Sequence, residues 1–301
     1  NGGVSTVLTT TAGDLAINGA VSGATTTLKS AGAISEGAGG VITATTLSGQ
    51  SAGATNLTGI NHVSTLGGFS AAGFGLTNAQ ALTVSGPVNG GASTTLTTTA
   101  GDLAIDGAVS GTTTTLKSAG AISEGAGGGI TANLLTGHSV GNTTLDGNNH
   151  INILGSFTSD FSLTNAQTLT VVGPLDGGPS VTLTTTAGDL VISGAITGTT
   201  TTLKSAGAIS EGAGGSIFAS TLNGQSAGAT SLNGTNHIGT LGSFRASNFS
   251  LTNAQALTVG GSVSGGASTA LTTTAGDLAI NAAVSGTSTT LKSAGAISEG
   301  A

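Results

Sequence analysis

The residues that could perform acid–base chemistry are an aspartate and a glutamate that recur together along the chain. Asp14 and Glu36 are 22 residues apart, which would place them on neighbouring turns of a coiled chain. Two carboxylates are the catalytic pair of most glycosidases. The pair occurs four times, as Asp14 with Glu36, Asp102 with Glu124, Asp189 with Glu211, and Asp277 with Glu299. Because a catalytic site is normally built once, we expect no catalytic residue here, but an Asp that caps a turn and a solvated Glu.

Histidines are the next candidates, as metal ligands. His62, His150 and His237 each follow an asparagine and recur at intervals of 88 and 87 residues. Four coils per repeat would separate them by roughly 19 Å, whereas a zinc ion needs its ligand nitrogens within about 2.1 Å. His138 has no histidine counterpart, and the glycine–aspartate signature of calcium-binding β-rolls is absent. We expect surface or corner histidines, no metal site and no cofactor.

These residues belong to long internal repeats. The sequence motif LTTTAGD begins at Leu8, Leu96, Leu183 and Leu271. The repeats are therefore 8–95, 96–182, 183–270 and a partial 271–301. We expect residues 1–301 to form one continuous domain cut from a longer array, with any export signal outside it.

Short strands explain the pattern inside each repeat. Leu103 and Ile105 flank Ala104, an alternation with the period of a strand, and glycine-rich clusters separate such runs. The runs recur at about 20 residues, as from Leu96 to Leu116. Glycine and threonine disfavour helices. The sequence therefore predicts an all-β parallel solenoid with four or five coils per repeat, in which inward Leu, Ile and Val fill a shared core.

A one-residue deletion in the second repeat locates a corner. Between the two phenylalanines of each repeat, Ser70–Gly73 has four residues and its equivalent, Thr158–Asp160, has three. A deletion within a strand would turn every later side chain to the opposite face. These segments, and Arg245–Asn248 in the third repeat, must therefore be corners or loops.

Composition limits the function. Charged residues are 6% of the chain and the net charge is −7, so no basic patch for nucleic acid is expected. No apolar run approaches the roughly 18 residues of a membrane helix, so we expect no transmembrane segment. Cysteine is absent, which leaves backbone pairing and apolar burial to stabilise the fold.

Three repeated segments carry a family resemblance. LTTTAGDLAI, KSAGAISEGAGG and NFSLTNAQALTV resemble the repeat region of bacterial exoproteins of the filamentous haemagglutinin type, over essentially the whole chain. The resemblance implies a right-handed parallel β-helix that is exported by two-partner secretion through an outer-membrane transporter. It also implies a secreted or cell-surface fibre that acts in attachment, aggregation or biofilm.

The expected function is therefore that of a non-enzymatic structural or adhesive fibre. We expect self-association, end to end or lateral, and host or matrix glycans as candidate partners. The alternatives are a glycan-binding solenoid, a β-helical polysaccharide-degrading enzyme and an ice-binding protein. The last rests on threonine runs such as Thr9–Thr11 and Thr25–Thr27, which the segment Leu66–Val84 interrupts.

Overall fold

The computed structural model describes residues 3–300, which contain strands and turns but no helix. Every strand pairing is parallel, and the strands stack as coils of about 20 residues. The predicted parallel β-solenoid is confirmed. The chain divides into two compact units, Asn1–Ile151 and Asn152–Ala301, with the boundary inside the strand Thr143–Thr158. The prediction of one continuous domain over residues 1–301 stays a prediction, and its terminal residues 1, 2 and 301 lie outside the described part.

The first unit contains the strands β1 (Ser5–Thr10), β2 (Leu15–Ile17), β3 (Ala20–Ser30), β4 (Ile34–Glu36), β5 (Val41–Ser51), β6 (Thr55–Ser70), β7 (Phe74–Asn78), β8 (Leu82–Val84), β9 (Val88–Asn89), β10 (Ser93–Thr98), β11 (Leu103–Ile105), β12 (Ala108–Ser118), β13 (Ile122–Glu124), β14 (Gly129–Ser139) and the first part of β15 (Thr143–Thr158).

The second unit contains the rest of β15, then β16 (Phe161–Asn165), β17 (Leu169–Val171), β18 (Leu175–Asp176), β19 (Ser180–Thr185), β20 (Leu190–Ile192), β21 (Ala195–Ser205), β22 (Ile209–Glu211), β23 (Ser216–Ser226), β24 (Thr230–Arg245), β25 (Asn248–Asn253), β26 (Leu257–Val259), β27 (Val263–Ser264), β28 (Ser268–Thr273), β29 (Leu278–Ile280), β30 (Val284–Ser285), β31 (Ser288–Ser293) and β32 (Ile297–Glu299).

Three strand segments make one coil. In the first coil they are β1, β2 and the start of β3, whose residues 20–23 pair with residues 41–44 of the next coil. Residues 25–30 of β3 form the first segment of the next coil, so one long strand contributes a segment to each of two consecutive coils. Side chains alternate inward and outward along each segment, which is why the sequence pattern has a period of two.

Identical residues stack in the core. Leucines occupy one inward column on four consecutive coils, at Leu57, Leu76, Leu96 and Leu116. Each is at most 1% exposed. Complete burial of a leucine stabilises a fold by about 2 kcal/mol. The column runs from the first repeat into the second without a change of residue, so the core of one repeat continues directly into that of the next.

Successive repeats begin on different faces of the coil. Five consecutive coils carry Leu15, Ile34, Thr55, Phe74 and Thr94 in register. Thr94 is the equivalent of Thr6, which precedes Leu15 by nine residues and lies on the preceding strand segment. A repeat is therefore four full turns plus one strand segment, between the four and five coils expected. The second unit has the same offset, from Leu190 to Thr269.

The predicted corners are present. Strand β6 ends at Ser70 and β7 begins at Phe74, and the same break separates β15 from β16 and β24 from β25. The rings of Phe69 and Phe74 pack across this corner with centroids 4.7 Å apart. Phe69 lies over Gly49, where a Cβ atom would overlap the Leu28 carbonyl oxygen and come within 2.8 Å of the ring. This glycine therefore makes room for the ring on the next coil.

Candidate functional site

The recurring aspartate joins two coils. Asp14 lies at the corner between β1 and β2, and its Oδ1 accepts a 2.7 Å hydrogen bond from the backbone N–H of Ala33, which lies 19 residues further along the chain. A Cβ atom on Gly32 would overlap this carboxylate oxygen, which explains the glycine before Ala33. The same bond forms in the other repeats, at Asp102, Asp189 and Asp277. The aspartate was predicted to cap a turn; its side chain does bond a backbone N–H at a corner, but the corner belongs to the next coil.

The recurring glutamate forms a second connection between coils. Glu36 Oε2 accepts hydrogen bonds from the backbone N–H of Gly59, at 2.7 Å, and from Asn61 Nδ2, at 3.0 Å. Its Oε1 is buried and has no hydrogen-bond partner. The same arrangement recurs with Glu124, Gly147 and Asn149, and with Glu211, Gly234 and Asn236. We call each set a Glu–Asn bracket. The prediction of a solvated glutamate is wrong for these three residues, because their carboxylates are half-buried and bonded, whereas Glu299 of the partial repeat is exposed.

The asparagine of each bracket also ties the backbone of the adjacent coil. Asn61 is fully buried, and its Oδ1 accepts a 2.7 Å hydrogen bond from the backbone N–H of Ile42. On the following coil the Oδ1 of Asn78 accepts from the N–H of Val63, and its Nδ2 donates to the Val63 carbonyl oxygen. Sequence reasoning missed these asparagines. For Asn61, Asn149 and Asn236 the signal was the constant position immediately before each recurring histidine.

Burial perturbs two of the bracket carboxylates. It raises the pKa of Glu124 above its ordinary value, while hydrogen bonds from Asn149 and Gly147 lower it and the charge of Asp146 raises it further. Burial also raises the pKa of Glu211, and hydrogen bonds from its own bracket again act in the opposite direction. Desolvation disfavours the charged form of a carboxyl group. These brackets therefore hold carboxylates that are less acidic than free glutamate.

The aspartate and glutamate of a repeat are bonded at different places. Glu36 lies beside Ile17, three residues beyond Asp14, at the opposite end of β2. Three residues along a strand and one step between coils separate their backbone positions by roughly 11 Å. Both side chains are engaged in separate backbone hydrogen bonds. The geometry gives them a structural role in each repeat.

The histidines lie at outward positions, as predicted. His62 and His150 are exposed, and His138 is exposed beside Lys117 on the adjacent coil. Because of the offset between repeats, His62 and His150 belong to different faces of the first unit. Over residues 3–300 no group of three or more His, Asp or Glu side chains could hold a metal ion.

One histidine has an aromatic neighbour that the others lack. Phe218 replaces the outward threonines Thr43 and Thr131 of the first two repeats. Its ring stacks on that of His237 on the next coil, with centroids 5.0 Å apart and an interplanar angle of 9°. Phe218 is 39% exposed, whereas the Nδ1 atom of His237 is buried without a hydrogen-bond partner.

A groove of about 520 Å³ lies against this pair. Its lining residues are Gly178, Thr197, Gly198, Thr199, Phe218, Ala219, Ser220, His237, Gly239 and Gln255. We call it the Phe218 groove. The first repeat has a similar groove of about 540 Å³ beside His62, with Thr43 in place of Phe218 and Ser64 in place of Gly239. The linings of the two grooves differ at five equivalent positions, of which Phe218 is the only one that gains an aromatic ring.

A second groove of the third repeat is basic. It measures about 710 Å³ and contains Lys204 and Arg245. Lys204, Gln225 and Arg245 lie side by side on three consecutive coils. Arg245 is the only arginine of the chain, and its equivalents are Ser70 and Thr158. The third repeat thus carries two outward features that are absent from the first.

Comparisons with protein-family models, with curated proteins and with solved structures found no match for this chain. None of the residues from 3 to 300 lies in a helix long and apolar enough to cross a membrane. The class of protein that the fold defines is a β-solenoid repeat protein in which each repeat carries the same connections between coils.

Proposed function

We propose that this chain is a repeat segment of a secreted bacterial fibre, which extends a solenoid and presents its outward surface for attachment, aggregation or biofilm formation. The observation that carries the proposal is the use of the recurring carboxylates. Asp14 and Glu36, and their equivalents, hold one coil to the next through backbone hydrogen bonds. Groups that could do chemistry are thereby used to join the coils within a repeat, which stabilises a solenoid that lengthens by repetition.

The resemblance of the repeat sequences to filamentous haemagglutinin-type exoproteins supports the secreted location and the two-partner export route. The coil arrangement adds a property that suits a surface protein. Because each repeat advances by one strand segment, an outward feature that recurs once per repeat is presented on successive faces. Such a fibre offers repeated weak contacts in several directions, and avidity then replaces a single tight site.

The ice-binding alternative has less support. An ice-binding face needs threonines at the same outward positions on every coil. The outward positions of β1 carry Ser5, Val7 and Thr9 in register with Thr25, Thr27 and Lys29, so a lysine and a valine interrupt the array. Thr26 points into the core and is fully buried.

Location and attachment are tested on the producing bacterium. We expect an antibody against residues 8–270 to label intact cells as surface fibres, and attachment or aggregation to fall when the coding sequence for those residues is deleted in frame. Cells that carry the deletion and a plasmid copy of the intact gene are the matched control. Labelling that requires permeabilised cells would contradict the proposal.

Extension is tested separately on the purified chain. Duplication of residues 183–270 adds four turns and one strand segment, and we expect the particle to lengthen by roughly 21 Å in electron micrographs. A duplication that leaves the particle length unchanged, while circular dichroism still reports β structure, would oppose the idea that repeats add length.

A further inference from the structure

We propose that the Phe218 groove binds a neutral sugar unit, a role beyond that of an extending repeat. Its lining contains no Asp, Glu, Lys or Arg, which argues for an uncharged ligand. Its volume of about 520 Å³ falls within the range of about 300 to 1,000 Å³ that is typical of small-molecule sites. A pyranose combines an apolar C–H face with a rim of hydroxyl groups, and the groove offers a partner for each.

The apolar partner is the exposed part of Phe218, a residue that is 39% exposed. His237 on the following coil stacks against one face of the ring. On the preceding coil Phe218 is in register with Thr197, whose side chain is shorter than the phenylalanine ring, and both residues line the groove. An aromatic ring provides a large and rigid contact at a low entropic cost.

The polar partner is an amide, that of Gln255. In the first repeat Gln80 Nε2 donates to Ser64 Oγ at 3.2 Å, and in the second Gln167 Nε2 donates to Asn152 Oδ1. In the third repeat Gly239 lacks a side chain to accept this bond. The amide of Gln255 therefore stays available to the groove that it lines.

A peptide is a poorer occupant. Added strands bind through the unpaired backbone of a sheet edge, but the strand segment of Phe218 is paired on both sides, with Thr197 and with His237. The five substitutions that distinguish the groove, including Phe218 and Gly239 relative to Thr43 and Ser64, instead change side chains of residues that line the groove.

The test uses the imidazole NMR signals of the four histidines in the whole chain. The probes are methyl glycosides of glucose, galactose, mannose, fucose, N-acetylglucosamine and N-acetylgalactosamine, in both anomers, with glucuronic acid as the charged comparison. We expect at least one neutral glycoside to shift the His237 signals saturably, while the signals of His62 and His150 stay unchanged. If no neutral glycoside shifts His237, or if glucuronic acid alone does so, the proposal is overturned.

Matched variants come from the other repeats. Phe218→Thr restores the residue of the first two repeats, and we expect it to weaken the binding at least ~10-fold, about 1.4 kcal/mol. The double variant Thr43→Phe with Ser64→Gly builds the same groove in the first repeat, and we expect the His62 signals to respond to the same glycoside. Unchanged affinity in Phe218→Thr, with native circular dichroism, would refute the site. The fibre role is tested by location and length, and it does not depend on this result.

Discussion

The Glu–Asn bracket and the outward column beside it lie on the same coils, yet they vary differently between repeats. The bracket of Glu36, Gly59 and Asn61 recurs without substitution in the second and third repeats. The outward column changes from Thr43 in the first repeat to Phe218 in the third. Inward groups are constrained by packing and hydrogen bonding with both neighbouring coils, whereas an outward side chain meets solvent on one side.

This difference defines two classes of residue in each repeat, an inward class and an outward class. The inward residues specify that a coil stacks on its neighbour, and every repeat needs them. The outward residues are free to specialise, as Phe218 and Arg245 do in the third repeat. Variants that move residues from one class to the other should therefore have the largest effects.

Deletion of Thr95 should have the largest effect, because it exchanges inward and outward positions within β10. Leu96 would leave the core column that it shares with Leu76 and Leu116. We expect a loss of at least ~3 kcal/mol in the free energy of unfolding, measured by denaturant titration. Deletion of Ala72 is the control, because it gives the corner Ser70–Gly73 the length of its equivalent in the second repeat. If the two deletions lowered the free energy of unfolding equally, the corner would tolerate a change in length no better than the strand does.

Asn61→Ala should have the next largest effect, because it removes one bracket. The N–H of Ile42 would lose its only side-chain acceptor, and Glu36 Oε2 would lose one of two donors inside the protein. Unsatisfied buried groups cost about 1–3 kcal/mol each, so we expect a loss of about 3 kcal/mol in thermal or denaturant unfolding. Asn56 lies on the same strand but is exposed. Asn56→Ala should change stability by less than about 0.5 kcal/mol, and a comparable loss in both variants would count against the bracket.

The sequence predicts the inward class well, but not its connections. The alternation of Leu103 with Ile105 and the length difference at Thr158–Asp160 are local signals, and they correctly predict strands and corners. Which residues of two neighbouring coils lie side by side depends on residues about 20 positions apart in the sequence, so a local pattern does not predict it. Leu135, for example, lies beside Thr114 on the preceding coil, and Gly137 lies beside Leu116.

The brackets were missed for a related reason. A glutamate followed by glycine is typical of an exposed turn, and the asparagine that buries it lies 25 residues further along. Only the turn length fixes which residue of the next coil faces Glu36, and the step between coils varies from 17 residues, as from Asn61 to Asn78, to 21, as from Ile34 to Thr55. Phe218 was passed over because a single outward substitution does not alter the repeat pattern.

The double variant Glu124→Gln with Glu211→Gln should change how stability depends on pH. Because the folded-state pKa of both carboxyl groups is raised, the folded chain holds protons that the unfolded chain has lost. Their contribution to stability is complete below the ordinary value of 4.5 and is lost as pH rises through the folded pKa. Relative to the unmodified chain, the variant should therefore gain stability between pH 4 and 7, by less than about 1 kcal/mol per carboxyl group.

The readout is the difference in unfolding free energy between the variant and the unmodified chain at each pH, since all other ionisable groups are common to both. The glutamine side chain keeps an oxygen that can accept from Gly147 or Gly234, so the bracket geometry is preserved. A difference that is constant from pH 4 to 7 would show that the burial of Glu124 and Glu211 does not affect their protonation.

Phe218→Thr should have the smallest effect on stability, although we expect it to abolish the groove's apolar surface. The ring is 39% exposed and packs on His237 alone among the aromatic side chains, so the free energy of unfolding should fall by less than about 1 kcal/mol. Phe244 is the matched control, because it is 1% exposed and packs against Phe249 in the core of the same unit. Phe244→Thr should cost at least ~3 kcal/mol in the same denaturant titration. If the two variants lost similar stability, Phe218 would be an ordinary packing residue, and the outward column would be constrained in the same way as the inward one.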